Sequence, residues 1–197
     1  MWLRMVIAGF VGGFLVFCMG AVNHTVFHFQ DRTFLKVPES SKFSDDLAVR
    51  DLKHGLYVFP DMPMAAEQSD AEKMAAFNER YSKGPSGMLL IVHHGPVLMG
   101  ENLGKEFFSN VIAALMASWV VSLMAAEVGF ARRWLAVVVM GIFAWISLTA
   151  SYGIWYRFPH DFVHDELYCA LLEWGVAGLV IAAIVRRSPA AAAVQTT

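Results

Sequence analysis

MVIAGFVGGFLVFCMGAV, residues 5–22, carries no charged side chain. Continued to about residue 27, it has the roughly 20 apolar residues with which a helix crosses the hydrocarbon core of a bilayer. A cleaved secretory signal is the competing reading. Signal h-regions run only roughly 7–15 residues, however, and no A-x-A site follows. LVFC, ending at Cys18, also lacks the small residue that a lipoprotein signal places before its cysteine. A retained transmembrane helix is therefore expected.

The rest of the chain repeats the pattern. Residues 106–126, 134–155 and 167–185 reach or approach the same length and apolarity. Over 197 residues, 57% are hydrophobic and 16% charged, with a mean hydropathy of +0.49, a composition unusual for a soluble domain. The fold class expected is mainly α, a bundle of four transmembrane helices. The net charge of -2 comes without a basic tract, which sets nucleic-acid binding aside.

Arginine placement orients the bundle. Arg4 precedes the first span, Arg132 and Arg133 separate the second and third, and Arg186 and Arg187 follow the fourth. Basic residues mark the cytoplasmic side, so both termini are expected there. In a bacterial inner membrane, the long segment between spans one and two then faces the periplasm. The expected divisions are 1–28 (first helix), 29–104 (a periplasmic α+β cap), 105–187 (helices two to four) and 188–197 (a disordered, alanine-rich tail).

Within the cap, Ser44 reads as the N-cap of a short helix with Asp45 and Asp46 in its first turn, and Gly55 as its stop. Ser69 and Glu72 form an S-x-x-E capping box for a second helix, which Gly84 and Pro85 end. GLYVFPDMP (55–63) and GMLLIVHHGPVLMG (87–100) read as extended pieces, the latter turning at His94-Gly95-Pro96. Met62, Met64, Met88 and Met99 form no regular copper-binding cluster and are assigned to packing.

Between lipid-embedded helices, close backbone approach replaces the hydrophobic drive. Gly9 and Gly13 in the first span, and Gly175, Gly178 and Ala182 in the fourth, are the expected packing positions. Cys18 and Cys169 both fall within spans; a bridge between them is conceivable, and two small packing residues are the simpler reading.

Two sets of residues could carry chemistry. His24 and His28, and likewise His160 and His164, stand four apart, so each pair shares a helical face. If the first and fourth helices are neighbours, the four imidazoles meet as ligands for zinc, copper or haem iron. Solvated interface histidines are the simpler reading, and no cofactor is otherwise predicted.

The second candidate is Glu173, an acid inside an apolar run. Such a group is expensive there and is a functional candidate by default. Its possible partners are Asn110, Ser147, Ser151, Tyr152, Asn23 and His24. It is read first as a neutral acid bonding across helices. The functional alternative is a proton-handling carboxylate, or a ligand to a bound quinone or metal. About half a helical turn of rotation and more than about 13 Å of rise separate it from His164, so the two sets cannot form one site on a continuous helix. Tyr152, Trp155 and Tyr156, followed by Arg157, read as an interfacial aromatic belt.

Taken together, GLYVFPDMP (55–63), RYSKGPSGMLL (80–90), ENLGKEFFSNVIAALMASWVV (101–121) and FAWISLTASYGIWYRFP (143–159) resemble a family of bacterial four-span membrane proteins of uncharacterised function. The resemblance covers most of the chain in segment order. It implies the four-span topology and the inner membrane, and transfers no catalytic residue. The function expected is non-catalytic: an accessory, stabilising or assembly subunit of a larger membrane complex, respiratory or photosynthetic, with lipid and other membrane subunits as partners. A metal- or haem-binding redox protein using the four histidines, and a small oligomeric transporter using Glu173, are the alternatives.

Overall fold

The computed structural model describes residues 1–29, 31, 33–38, 42–48, 52–61, 63, 65–92 and 99–186. The chain divides into two units, Met1–Leu35 with Leu98–Thr197, and Lys36–Val97. The tail 188–197, the turn at 94–96, Met62 and Met64 lie outside the described residues.

The first unit is helical. α1 (Trp2–Val22) runs into a π-helical turn, Asn23–Phe27, and stops where His28 adopts the left-handed conformation, φ 52°. α4 (Met99–Ser122) follows the second unit, which holds α2 (Phe43–Ala48) and α3 (Ala71–Lys83). α5 (Phe130–Trp145) continues through a second π turn, Ile146–Ala150, into α6 (Ser151–Tyr156), and Arg157 at φ 54° closes it. α7 (His160–Ile184) begins directly after Pro159.

Three of these helical stretches, Trp2–Phe27, Phe130–Tyr156 and His160–Ile184, are long and apolar enough to cross a membrane by length and composition. α4, the expected second span, is not among them. Asn102, Lys105, Glu106 and Asn110 in its first half lower its apolarity.

Small residues decide which helices touch. A methyl group on Gly9 would fall 2.8 Å from Leu115 Cα, and one on Gly13 would fall 2.7 Å from the Val111 nitrogen. α1 and α4 therefore pack backbone to backbone. Gly12 faces Ile181, bringing α7 against the adjoining face of α1. Gly178 meets Trp134 and Val137, and Gly141 lies under the Trp174 ring, which joins α5 to α7. Gly175 departs from the expectation: no atom lies within 4 Å of where its Cβ would be, and its contribution is a carbonyl that accepts from Trp134 Nε1 at 2.9 Å. Ala182 is buried, and its carbonyl accepts from Arg133 Nε at 3.1 Å. Trp145 Nε1 donates to the Val163 carbonyl, also at 2.9 Å.

The resulting order in space is α4, α1, α7, α5, with α4 meeting α5 and α7 only marginally. Contacting neighbours run antiparallel. Arg4 Nη1 reaches the Arg186 carbonyl at 3.2 Å, so Arg4, Arg133 and Arg186 gather at one end of the row. The core of Ala8, Val16, Ala114, Ala117, Val121, Val137, Ala177, Ile181 and Val185 is built largely from small side chains. Large apolar residues point outward, with Trp155 77% exposed and Phe143 70%, the reverse of a water-soluble bundle. Cys18 and Cys169 are both free thiols.

The second unit pairs β1 (Gly55–Phe59) antiparallel with β2 (Gly87–Ile91), Tyr57 opposite Leu89. α2 (Phe43–Ala48) has Asp45 and Asp46 in its first turn as expected, but it starts at Phe43 and so encloses Ser44. α3 (Ala71–Lys83) is capped by Asp70, whose carboxylate accepts from the Glu72 and Lys73 amides at 3.0 and 3.2 Å. The cap thus stands one residue later than Ser69. That shift puts Lys73 where a capping box needs Glu or Gln, and no such box forms. Gly84, at φ 55°, ends the helix with its amide on the Arg80 carbonyl.

Candidate functional site

Several polar residues of the helical unit, His24, Asn102, Glu106, Asn110 and Glu173, converge beside α1, α4 and α7. Glu173 stands near the middle of α7, half-buried. Asn23 Nδ2 donates to its Oε1 at 2.9 Å. Asn23 is only 2% exposed, and its Oδ1 is a buried acceptor without a hydrogen-bond partner among the described residues. The π turn begins at this residue. Such turns admit one extra residue per turn and recur at functional sites. Here the consequence is that Asn23 faces α7 while His24 lines the adjacent cavity.

That cavity, of about 350 Å³, lies between α1 and α4 with Glu173 in its wall. α1 supplies Val16, Phe17, Gly20, Ala21 and His24; α4 supplies Asn102, Leu103, Glu106 and Asn110. Its lining mixes apolar and polar side chains. Gly20 leaves the approach to Glu173 open: a methyl there would rest 3.5 Å from Oε1, in ordinary contact. His24, Asn102 and Glu106 are exposed, so the cavity joins an acid in mid-helix to groups at the end of the row opposite the arginines. Chemically it can accept hydrogen bonds, exchange a proton, or balance a positive charge.

Of the expected partners of Glu173, Asn23 is bonded to it, and His24 and Asn110 line the same cavity. Ser147 instead bonds back to the Phe143 and Ala144 carbonyls of its own helix. Tyr152 packs against Tyr156 and Phe158, and neither it nor Ser151 reaches the cavity. These three belong to the α5–α6 helix, which α7 separates from α1.

The four histidines are not gathered. His28 leaves the helix through its left-handed backbone and pairs with Asp31 at 3.2 Å. The π turn also alters the spacing that would have stacked it on His24. His160 and His164 do share a face, their ring centroids 6.4 Å apart and both exposed. Among the described residues, no group of three or more His, Cys, Asp or Glu is placed to hold a metal ion.

Two features escaped the sequence reading. Asn102, Glu106 and Asn110 are spaced four apart and form one polar stripe on α4, a signal present in the sequence although only Asn110 was singled out. Asp165, 0% exposed, is a second buried acid on α7. Its neighbours in sequence are polar, so nothing there distinguished it from a solvated first turn. Comparisons with protein-family models, with curated proteins and with solved structures find no match.

Proposed function

We propose that this protein is a four-span subunit of a bacterial inner-membrane complex, acting in assembly or stabilisation of an electron-transfer partner rather than in catalysis. The observation carrying this reading is the outward-facing apolar surface of α4. Its buried positions include Val111, Ala114, Ala117, Ser118 and Val121, while Phe108, Ile112, Met116 and Trp119 stand exposed. A helix with small residues inward and bulky apolar groups outward suits a membrane-embedded position, which supports α4 as a span beside the other three despite its lower mean apolarity. As an edge helix of the row, it offers that outer face to a neighbouring subunit.

The clustering of Arg4, Arg133 and Arg186 at one end supports both termini in the cytoplasm, with the unit Lys36–Val97 on the periplasmic side. The resemblance to bacterial four-span proteins goes with the same topology.

The test is the native mass of the protein extracted from its own membranes in mild detergent, with Ile112→Trp and Met116→Trp compared with wild type. Stoichiometric co-migration with a larger complex, lost in the two variants, supports the subunit reading. Migration alone or as a homo-oligomer overturns it. The Glu173 cavity favours a second reading, a small oligomeric transporter. Uptake into vesicles that depends on Glu173 supports that reading, and a strictly monomeric state counts against it.

A further inference from the structure

We infer that the cavity between α1 and α4 is a binding site for a small organic ammonium ion, a protonated primary amine on a short apolar body, with Glu173 and Glu106 as its charge partners. The inference rests on the cavity and not on transport: binding without transport sinks the transporter reading alone.

The first argument is charge. Two carboxyl groups, Glu173 and Glu106, line the cavity, and His24 is the only basic residue among the described residues that do. The nearest lysine in the chain, Lys105, is engaged by Glu101 at 2.5 Å, one turn earlier on α4. Glu106 is exposed, but Glu173 is half-buried; a carboxylate withdrawn from water needs a proton or a cation beside it, and among the described residues the cavity wall provides no lysine or arginine to serve.

Hydrogen-bond balance is the second. Asn23 has committed its Nδ2 to Glu173, and its Oδ1 remains a buried acceptor with no donor among the described residues. Asn23 stands outside the cavity lining and holds Glu173 from behind, so what the cavity itself offers a donor is the two carboxyl groups of Glu173 and Glu106, with the side-chain oxygens of Asn102 and Asn110 beside them. An ammonium group, with three donors and no acceptor, has the complementary inventory.

The third is shape. Val16, Phe17, Gly20, Ala21 and Leu103 present apolar surface beside the two acids. A volume of about 350 Å³ lies within the range of small-molecule sites. A bare metal ion would leave this surface unused, and no cluster of three or more His, Cys, Asp or Glu ligands is present among the described residues to hold one. Apolar body and charged head together match an amphipathic amine entering along the helix row.

The experiment is calorimetric titration of the purified full chain in detergent with hexylammonium chloride, against empty micelles, with hexanol, hexyl sulfate and sodium chloride as comparisons. Saturable one-to-one binding of hexylammonium alone is expected, weakened about tenfold or more in Glu173→Gln and to a smaller extent in Glu106→Gln. Gly20→Leu should abolish binding by filling the cavity while leaving both acids in place. Should Glu173→Gln fail to fold, the other two variants decide the matter. Equal binding of hexanol, undiminished binding in the folded variants, or no saturable binding overturns the inference. Displacement of hexylammonium by sodium at equal concentration identifies a bare-cation site and overturns it as well.

Discussion

Asn23 Nδ2 and Glu173 Oε1 meet at 2.9 Å across 150 residues of chain. The bond ties α1 to α7 between two apolar surfaces, where neither group has an equivalent partner in lipid. Interhelical hydrogen bonds in membranes are worth about 0.6 kcal/mol on average and up to about 1.7. A double-mutant cycle with Asn23→Ala and Glu173→Ala is expected to give a coupling of about 1 kcal/mol in thermal unfolding. Glu173→Gln should remain folded, because an amide carbonyl accepts the same bond. Collapse of Glu173→Gln alongside an intact Glu173→Asp would show that the acid itself is required.

Close packing along α1 predicts a sharp contrast between glycines. Gly13→Ala places a methyl against the Val111 backbone, which cannot yield without parting α1 from α4. The expected cost is about 1–3 kcal/mol. Gly175→Ala meets nothing within 4 Å and should stay within about 0.5 kcal/mol of wild type. Unfolding of both variants in the same detergent makes the comparison, and equal destabilisation would contradict the packing described.

The two indoles of α5 form a separable pair. Trp134→Phe and Trp145→Phe each remove a donor to an α7 carbonyl, Gly175 and Val163 respectively. Each loss is expected to cost about 1 kcal/mol. Eleven residues of helix place the two sites about 16 Å apart, so the costs should add in the double variant. A strongly non-additive result would mean that the α5–α7 contact opens as one piece.

In the second unit, Asp70→Ala should weaken α3 by about 1 kcal/mol, whereas Ser69→Ala should leave it unchanged. Amide hydrogen exchange across Ala71–Lys83 reads this directly. Roughly fivefold faster exchange is expected for the first variant only.

Much of the helical architecture was legible because it rests on composition. Long uncharged runs mark α1, α5 and α7 without reference to anything else in the chain. The two strands could be read from their apolar runs and the glycines and prolines that bound them. α4 was located, but length and composition alone do not mark it as a span, since its polar stripe dilutes an otherwise apolar helix. The site was partly legible. Glu173 stood out against its surroundings, and Asn23, His24 and Asn110 were among its expected partners. Ser147, Ser151 and Tyr152 were named with equal reason and lie elsewhere, because depth along a helix can be counted whereas the choice of neighbouring helix depends on which small-residue seams interlock. Between His24 and His28 the backbone passes through a π turn and into a left-handed residue, a local event that a spacing of four does not reveal.

The spatial order α4, α1, α7, α5 differs from the order of synthesis. α1 is the first of the four helices to leave the ribosome, yet it ends up between α4 and α7, and its bond to Glu173 needs a helix made last. Until then Asn23 has no Glu173 to meet, and the apolar faces of α1 must be sheltered by lipid or by the insertion machinery. α5 and α7, joined by α6 and a short turn, have no such wait. Closure of the Asn23–Glu173 pair therefore waits for α7, and a chain arrested before α7 would carry an asparagine without its Glu173 partner, available to membrane quality control.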